Sequence, residues 1–359
     1  MKKKLSMLLA LVLALALCLT ACGGNSGGSI ADTPAEEPAE TEAPAEDAAE
    51  APAAEEPAAE EPAAETPSAD LTFATGSSTG TYYGFGGVIA QDVSANTNVN
   101  VTAISSDGSK ANILMLESGD AQLGFSQSDV MAYAYNGTST FAEEGAVEGF
   151  STVAALYMEA VQIVTCNPDI KTVADLAGKK VSIGAAGSGV YFNAIDILGA
   201  YGLTEDDITA NYMNFNDSAD SLTDGTIDAA FIVAGAPTTA ITSLAATKDV
   251  YLVSIDAEHA SALIEASPYY SAYTVPADAY GLEADVETVA VSAVVLARDD
   301  VPADVIYAFT ADVFNNASTL AHDKAKELSV DFAASVTAVP YHPGAAQFFA
   351  EQGITVPTK

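Results

Sequence analysis

Two turns rich in glycine and hydroxyl side chains hold the residues of this 359-residue chain whose types and spacing best suit chemistry with a small molecule. The first reads GSSTGTY at residues 76–82, and the second reads GSGV at residues 187–190. Each follows a short apolar run and leads into an aromatic helix start. Such a turn leaves backbone N–H groups and hydroxyls unpaired at the positive end of a helix, which suits a carboxylate or another small anionic group. Two such turns facing each other would form a binding cleft.

The elements that must position these turns repeat in the same order along the chain. Apolar runs that alternate with glycine turns predict two β-α-β-α-β units. The first has strands at 71–74, 99–105 and 121–125 with helices at 81–94 and 109–117, and the second has strands at 181–183, 208–213 and 229–233 with helices at 191–201 and 218–222. Such units form parallel sheets, and ligands bind beyond the carboxyl ends of the strands.

The loops that follow the first and third strands of each unit therefore supply the candidate ligand-binding residues. Of the two tyrosines that open the first helix, we expect Tyr82 to face inward. Asn193 fits either a ligand contact or a solvent-facing position on the first turn of its helix. The candidates are Gly76, Ser77, Ser78, Gly80, Thr81, Tyr82, Gln127, Ser128, Gly187, Ser188, Gly189, Val190, Asn193, Gly235 and Pro237.

Two extended apolar runs, at residues 157–165 and 288–297, connect the units. Two crossings between lobes predict a hinge. Two amphipathic helices, at residues 303–315 and 319–328, are predicted to close the chain. The fold class expected from this order is α/β, with two lobes that are each a mostly parallel sheet flanked by helices.

The first 70 residues are predicted to be a signal peptide and a disordered tether rather than part of the folded domain. Three lysines, an apolar run at residues 5–19 and the sequence LTAC at 19–22 resemble a lipoprotein signal peptide over residues 1–21, with Cys22 as the lipidated N-terminus. A transmembrane anchor and a plain secretory signal are the alternatives. Residues 22–70 are rich in Pro, Ala and Glu, which predicts a disordered tether. The folded part is then extracytoplasmic, and Cys166 has no partner for an internal disulfide.

The charge of the chain argues against several partners. From residue 71 onward there are 35 acidic and nine basic side chains, a net charge of −26. Nucleic acid is therefore not an expected partner, and the folded part should not bind anionic lipid. Three separated histidines and one remaining cysteine do not form a metal site, and no dinucleotide or phosphate-loop motif occurs. We expect no cofactor and no metal, with a weak calcium site on surface acids left open.

An enzyme is the first alternative to a binding protein. Residues 76–80 match the G-x-S-x-G nucleophile elbow, with Ser78 as the nucleophile, and His342 is the nominal base. However, the elbow follows the first strand of the fold, so no earlier strand supplies an oxyanion loop, and the second turn repeats the geometry without the motif. We therefore expect a protein without covalent chemistry.

An ordered series of motifs resembles the solute receptors of tripartite ATP-independent periplasmic (TRAP) transporters, in the TAXI family. The motifs are TGSSTGTYY (75–83), LESGDA (116–121), QSDV (127–130), EAVQIV (159–164), DLAGK (175–179), GSG (187–189), YGL (201–203), DGTIDAAF (224–231) and HPGA (342–345). The sequence departs from the family at two points. Val190-Tyr191 stands where a Thr-Glu pair is usual, and Ser77-Ser78 stands where glycines are common.

The resemblance implies a type II periplasmic-binding-protein fold and a role in solute capture. Residues 71–163 and 293–359 would form lobe 1, and residues 164–292 would form lobe 2. The receptor would bind a small organic solute, such as a glutamate-like amino acid or a dicarboxylate, and deliver it to polytopic membrane subunits driven by an ion gradient. A sensor that acts on a membrane signalling partner is the alternative. The single arginine, Arg298, is expected in a surface ion pair with its flanking acids, with a ligand clamp as the second interpretation.

Overall fold

The structure is a computed structural model, and it describes residues 67–359 except for the side chain of Thr140. The predicted signal peptide, Cys22 and all but the last residues of the predicted tether lie outside the described residues. The first strand begins at Ala69, two residues before the predicted start of the fold.

The first half of the fold is the predicted β-α-β-α-β unit with one helix added. Its strand β1 lies between β2 and β3, is parallel to both, and pairs Ala69 with Val99. The added helix starts directly where β3 ends, so no loop separates the two. The elements are β1 (Ala69–Ala74), α1 (Thr81–Asn96), β2 (Val99–Ile104), α2 (Ser109–Ser118), β3 (Leu123–Gln127) and α3 (Ser128–Asn136).

The chain then enters the second half through a long strand, β4 (Phe150–Thr165). In the second half β5 lies between β6 and β7 and is parallel to both, which repeats the arrangement of the first half. The further elements are β5 (Lys180–Ser182), α4 (Val190–Ala200), β6 (Thr209–Asn211), α5 (Phe215–Asp224), β7 (Ala229–Ala234), α6 (Thr239–Ala245), β8 (Tyr251–Val253), α7 (Ala257–Ala266) and β9 (Ser271–Val275).

Two long antiparallel strands join the halves. Strand β10 (Val286–Arg298) pairs with β4 over most of its length, with two irregularities in the register near Ala293 and Leu296. One end of this pair packs in the apolar core of the first half, and the other end packs in the core of the second half. The strand order is β2-β1-β3-β10-β4-β7-β5-β6, with β8 paired to β4 and β9 paired to β10 beside this path. The carboxyl ends of the parallel strands of the two halves therefore lie on either side of this central pair.

The C-terminal segment packs on the first half and corrects one prediction. Helix α8 (Ala303–Asn315) has the predicted bounds. The predicted helix at 319–328 is wrong, because only residues Asp323–Glu327 form a short 3-10 helix, which begins where the His322 side chain accepts a hydrogen bond from Lys324 N. Leu328 then returns to an extended conformation. The chain ends with α9 (Val330–Ala333) and α10 (Pro343–Glu351), which the sequence interpretation did not predict.

Candidate functional site

A cleft lies between the two halves, at the carboxyl ends of their parallel strands. It has about 500 Å³ of empty space, its mouth included. Its walls come from the loop after β1, the loop after β2, the end of β3, the loop after β5, the loop after β6 and the end of β7, while β4 contributes Glu159. This is the edge of the sheet at which the sequence predicted a site.

Four helices point their N-termini into this cleft. The residues that precede them are Gly80 before α1, Gly108 before α2, Gly189 before α4 and Asn214 before α5, and all four line the cleft. The three glycines offer no side-chain cap to the first helical N–H groups. The N-terminal turn of a helix carries unpaired N–H groups and the positive end of the helix dipole. The cleft therefore receives the positive ends of helix dipoles from both halves.

The structure brings nine of the fifteen predicted site residues together in the cleft. Both predicted turns contribute, one from each half. Tyr82 points inward with 9% of its surface exposed, whereas Tyr83 is 39% exposed. The nine residues are Gly76, Ser77, Gly80, Thr81, Tyr82, Gln127, Ser188, Gly189 and Val190.

Three other predicted residues form contacts next to the cleft without lining it. Ser78 is exposed and accepts a hydrogen bond of 2.9 Å from Asn216 Nδ2. The carbonyl of Gly187 accepts a hydrogen bond of 3.0 Å from Ala111 N in the opposite half. The carbonyl of Gly235 accepts a hydrogen bond of 2.9 Å from Thr81 Oγ1. These residues join the halves.

The last three predicted residues lie elsewhere. Ser128 is buried, and its hydroxyl accepts from Ser292 N at 3.3 Å. Asn193 is fully buried behind the cleft rather than solvent-facing. Pro237 is exposed and lies outside the cleft, in a surface groove beside the 3-10 helix Asp323–Glu327.

Some residues that line the cleft were not among the predicted site residues. Ser106, Asp107, Gly108 and Ser109 follow β2, and Met213, Asn214 and Phe215 follow β6. The second strand of each unit is parallel to the other two strands and ends at the same edge of the sheet. Applying the strand-end rule to all three strands would have predicted these loops as part of the site. Glu159 gave no comparable signal, because it lies inside an apolar strand.

Glu159 is a buried carboxyl group at the base of the cleft. It is 2% exposed, and Tyr82 OH donates a hydrogen bond of 3.0 Å to its Oε2. Burial raises the pKa of Glu159 to about 8, against a hydrogen bond from Tyr82 that lowers it. The ring of Tyr82 stacks on Phe125 with 4.5 Å between centroids, which fixes the hydroxyl in place. At pH 7 Glu159 is therefore mainly the neutral acid.

We expect the substitution Glu159→Gln to stabilise the ligand-free protein, and more so at high pH. The folded-state pKa of Glu159 is raised from 4.5 to about 8, so its burial costs stability progressively as the pH rises from 4.5 through 8. Glutamine avoids this cost and can still accept from Tyr82. The gain in the free energy of unfolding should be on the order of 3 kcal/mol at pH 9 and close to zero at pH 4. Urea unfolding of the parent protein and the variant at pH 4 and at pH 9 measures this gain. An equal gain at the two pH values would contradict the raised pKa of Glu159.

A buried polar network lies behind the cleft and joins the two halves. Gln127 Nε2 donates to Asn193 Oδ1 at 3.0 Å, and Asn193 Nδ2 donates to Asp129 Oδ2 at 3.0 Å and to Tyr270 OH at 2.8 Å. Tyr270 OH in turn donates to Asp196 at 3.0 Å. Burial raises the pKa of Asp129 to about 6. Gln127 Oε1, in contrast, is buried and has no hydrogen-bond partner.

The two halves also touch at the mouth of the cleft. Asn216, on α5, hydrogen-bonds to Ser77, Ser78 and Thr79 of the first turn. Ala240 N, in the second half, donates a hydrogen bond of 3.1 Å to the carbonyl of Thr79. The first turn is thus held against the second half on both sides, and the cleft is closed.

The hydrolase interpretation finds no support in this geometry. The hydroxyl of Ser78 bonds to an amide, and among the described residues no histidine lines the cleft. Each histidine has a structural role: His342 caps α10, His322 stacks on Phe85 and His259 stacks on Tyr201. Arg298 forms a 2.6 Å ion pair with Asp300 and does not line the cleft.

Two features are absent from the described residues 67–359. No group of three or more His, Cys, Asp or Glu side chains in this range is placed to hold a metal ion. Within the same range, no helix combines the length and the apolar character that crossing a membrane requires.

Comparison with known proteins identifies the fold. A model of the NMT1-like family matches residues 73–353. A protein of known structure from Bordetella bronchiseptica RB50 is similar, with 13% identity over 79% of this chain and 82% of its own and a TM-score of 0.50. The alkanesulfonate-binding protein SsuA from Xanthomonas axonopodis pv. citri, bound to MOPS, gives 15% identity, coverage of 80% and 85%, and a TM-score of 0.46. The predicted fold class, a two-lobed α/β fold of the type II periplasmic-binding-protein kind, is confirmed.

Proposed function

The chain belongs to the NMT1-like family, and on this premise we propose that it is a solute-binding receptor without covalent chemistry. It captures a small organic solute in the cleft between its two halves and presents the closed complex to a membrane partner. Closure is a hinge motion about β4 and β10, in which a solute that contacts both halves stabilises the shut state.

The observation that carries this proposal is the convergence of four helix N-termini, two from each half, on one cleft. A carboxylate placed there accepts hydrogen bonds from both halves at once, so its binding favours closure. The solute class proposed from this is a carboxylate-bearing metabolite, such as an amino acid or a glutamate-like dicarboxylate.

The finer proposal is a TAXI-type receptor of a TRAP transporter. It is supported by the ordered motifs that begin at Thr75 and end at Ala345. Residues 71–163 with 293–359, and residues 164–292, act as the two rigid lobes. A lipid on Cys22 anchors the protein at the extracytoplasmic face of the cell membrane, and the acidic tether lets the receptor reach the polytopic membrane subunits.

A thermal-shift screen of the purified protein against amino acids, dicarboxylates and keto acids tests the proposed function. At least one compound should raise the Tm, because a ligand that binds only the folded state stabilises it. For any compound that raises the Tm, the protein variants Ser188→Ala and Gln127→Ala should each bind it with about 10-fold lower affinity, because both side chains line the cleft.

Two exposed residues outside the cleft provide matched controls, Ser335→Ala and Gln352→Ala. These variants should bind the compound as tightly as the parent protein. The proposal fails if no compound of these classes binds. The site assignment fails if the cleft variants bind as tightly as the controls.

A further inference from the structure

Four side chains that carry oxygen ligands meet where helices α1 and α8 end, away from the cleft. Asp92 and Asn96 lie four residues apart in the last two turns of α1. Asp312 and Asn316 are also four residues apart, at the end of α8. Residues at this spacing lie on the same face of a helix. Both helices pack in the same apolar core of the first half, which holds the two faces together.

The two aspartates of this cluster face each other. Asp312 is 8% exposed, and its carboxyl group lies within hydrogen-bonding distance of the Asp92 carboxyl group. Asp312 Oδ1 accepts a hydrogen bond of 2.8 Å from Asn316 Nδ2. The Oδ2 atoms of Asp92 and Asp312 are both buried and have no hydrogen-bond partner among the described residues. Burial, and then the charge of Asp92, raise the pKa of Asp312, while the amides of Asn96 and Asn316 lower it.

Both helices direct the same end at this cluster. The last turn of a helix carries unpaired C=O groups and the negative end of the helix dipole, which favour a positive charge. Lys, Arg or His commonly meets this need. Neither α1 nor α8 has a basic residue in its last turn. The cluster therefore receives two negative helix ends in addition to two carboxyl groups, and the groups that act most strongly on Asp312 include no cation.

We propose that this cluster binds one Ca²⁺ ion between the ends of α1 and α8. Ca²⁺ takes about six to eight oxygen ligands from carboxylates, amide and backbone carbonyls and water, in flexible geometry. The Oδ2 atoms of Asp92 and Asp312 ligate the ion, and rotation of the Asn316 amide about its Cβ–Cγ bond turns its oxygen to the same point. Asn96 is exposed, so solvent reaches the site and supplies water ligands.

The composition of the site fits Ca²⁺ better than other metal ions. It has two carboxyl groups and two amides, so it differs from a cluster of three or more His, Cys, Asp or Glu ligands, which the described residues lack. Mg²⁺ demands near-ideal octahedral geometry and loses its water reluctantly. With only two carboxylates, the site should bind Ca²⁺ weakly, with a Kd of about 0.1–1 mM.

The site is separate from the cleft and does not depend on the proposed function. Helix α1 has 16 residues and therefore a length of about 24 Å. Gly80, before its first turn, lines the cleft, whereas the proposed site is at its other end. A bound Ca²⁺ ion joins α1 to α8 and replaces the repulsion between Asp92 and Asp312 by attraction to both. It should stabilise the folded state, because the unfolded chain does not hold the four ligands together.

Thermal unfolding of the purified protein tests the inference. The protein is first treated with EDTA, and its Tm is then measured in EDTA, in CaCl₂ and in MgCl₂ at equal ionic strength. About 10 mM CaCl₂ should raise the Tm by about 2–4 °C, as expected for a Kd of about 0.1–1 mM. MgCl₂ at the same concentration should give less than about half of this rise, because the site does not impose octahedral geometry.

Three variants that each remove one negative charge separate a site from general screening. Asp312→Asn and Asp92→Asn each remove a ligand and the repulsion between the two carboxyl groups. Each should unfold in EDTA at the same Tm as the parent protein or at a higher one, and should lose most of the rise in CaCl₂. The matched control is Asp304→Asn, an exposed acid at the other end of α8, and this variant should keep the full rise.

The inference is wrong if CaCl₂ raises the Tm of the parent protein no more than MgCl₂ does. It is also wrong if Asp312→Asn and Asp92→Asn keep the rise, or if Asp304→Asn loses it to the same extent, since the effect would then be screening of the net negative charge. If one of the two site variants does not fold, the other decides. No solute is involved in these measurements, so none of the outcomes bears on the proposed function.

Discussion

Substitution of Gly189 by alanine should lower the affinity for the solute about 100-fold, or by about 2.7 kcal/mol, without unfolding the protein. A Cβ atom at this position would lie 2.6 Å from Gln127 Cδ and 2.9 Å from Val130 Cγ2, both in the opposite half. The backbone of Gly189 is right-handed helical, with φ −70° and ψ −23°, so alanine fits the local conformation. The methyl group therefore acts as a wedge that opposes closure. Calorimetric titration measures the affinity, and small-angle X-ray scattering should show a larger radius of gyration.

The matched control for this wedge is Gly199→Ala in the same helix, α4. A Cβ atom at Gly199 meets nothing within 4 Å, so this variant should bind the solute normally and unfold at the same or a slightly higher temperature. If Gly189→Ala binds the solute as tightly as Gly199→Ala, contact between Gln127 and Gly189 is not part of the closed complex.

Replacement of Asn193 by alanine should cost about 2–4 kcal/mol of the free energy of unfolding, since it removes the central amide of the buried network. Asp129 would lose the donor that faces its Oδ2, and Gln127 Nε2 would lose its acceptor. Loss of a donor raises the pKa of Asp129 further above its present value of about 6. A raised carboxyl pKa costs stability as the pH rises through it, so the loss should be larger at pH 8 than at pH 5.

Chemical denaturation at both pH values measures this loss. The control is Asn100→Ala, which removes a single hydrogen bond to Asp70 on the exposed surface and should change stability by less than about 0.5 kcal/mol. The loss of unfolding free energy for Asn193→Ala should exceed the loss for Asn100→Ala and should differ between the two pH values. If either expectation fails, the Asn193 amide does not stabilise an ionised Asp129.

The repeated units could be predicted because each one follows the same local pattern. Apolar strands of three to six residues end at glycine or serine turns, and the turn at Gly76 and the turn at Gly187 both lead into aromatic residues. The direction of the strands and the edge at which a ligand binds then follow from the right-handed crossover. This is why both turns lie in one cleft.

The elements that the sequence analysis missed either lack glycine or serine turns at their ends or have sequences that were interpreted in another way. Helix α3 begins at the residue after β3, so a single polar stretch covers a strand end and a helix start. Helix α10 begins at Pro343 after the capping residue His342. This recognisable helix start was interpreted as a family motif and as the nominal base of a hydrolase. The segment at 319–328 has helical composition, but its side-chain cap starts a single 3-10 turn.

The site residues that could not be predicted depend on pairing between distant segments. Glu159 lies in a strand that is buried along nearly its whole length, so the apolar pattern gives no sign of which face meets the cleft. Asn193 was expected to meet either a ligand or solvent, yet it meets Asp129 and Tyr270 because the two halves close over it. Contacts that exist only when the halves are together leave no local pattern in the sequence.

The most direct test of the account is a crystal structure of the protein with the tightest-binding compound from the screen. We expect electron density for the solute between Thr81 and Val190, with its carboxylate at the helix N-termini. Density for the solute at another surface, with the cleft occupied by water alone, would contradict the claim that the two halves close on a solute.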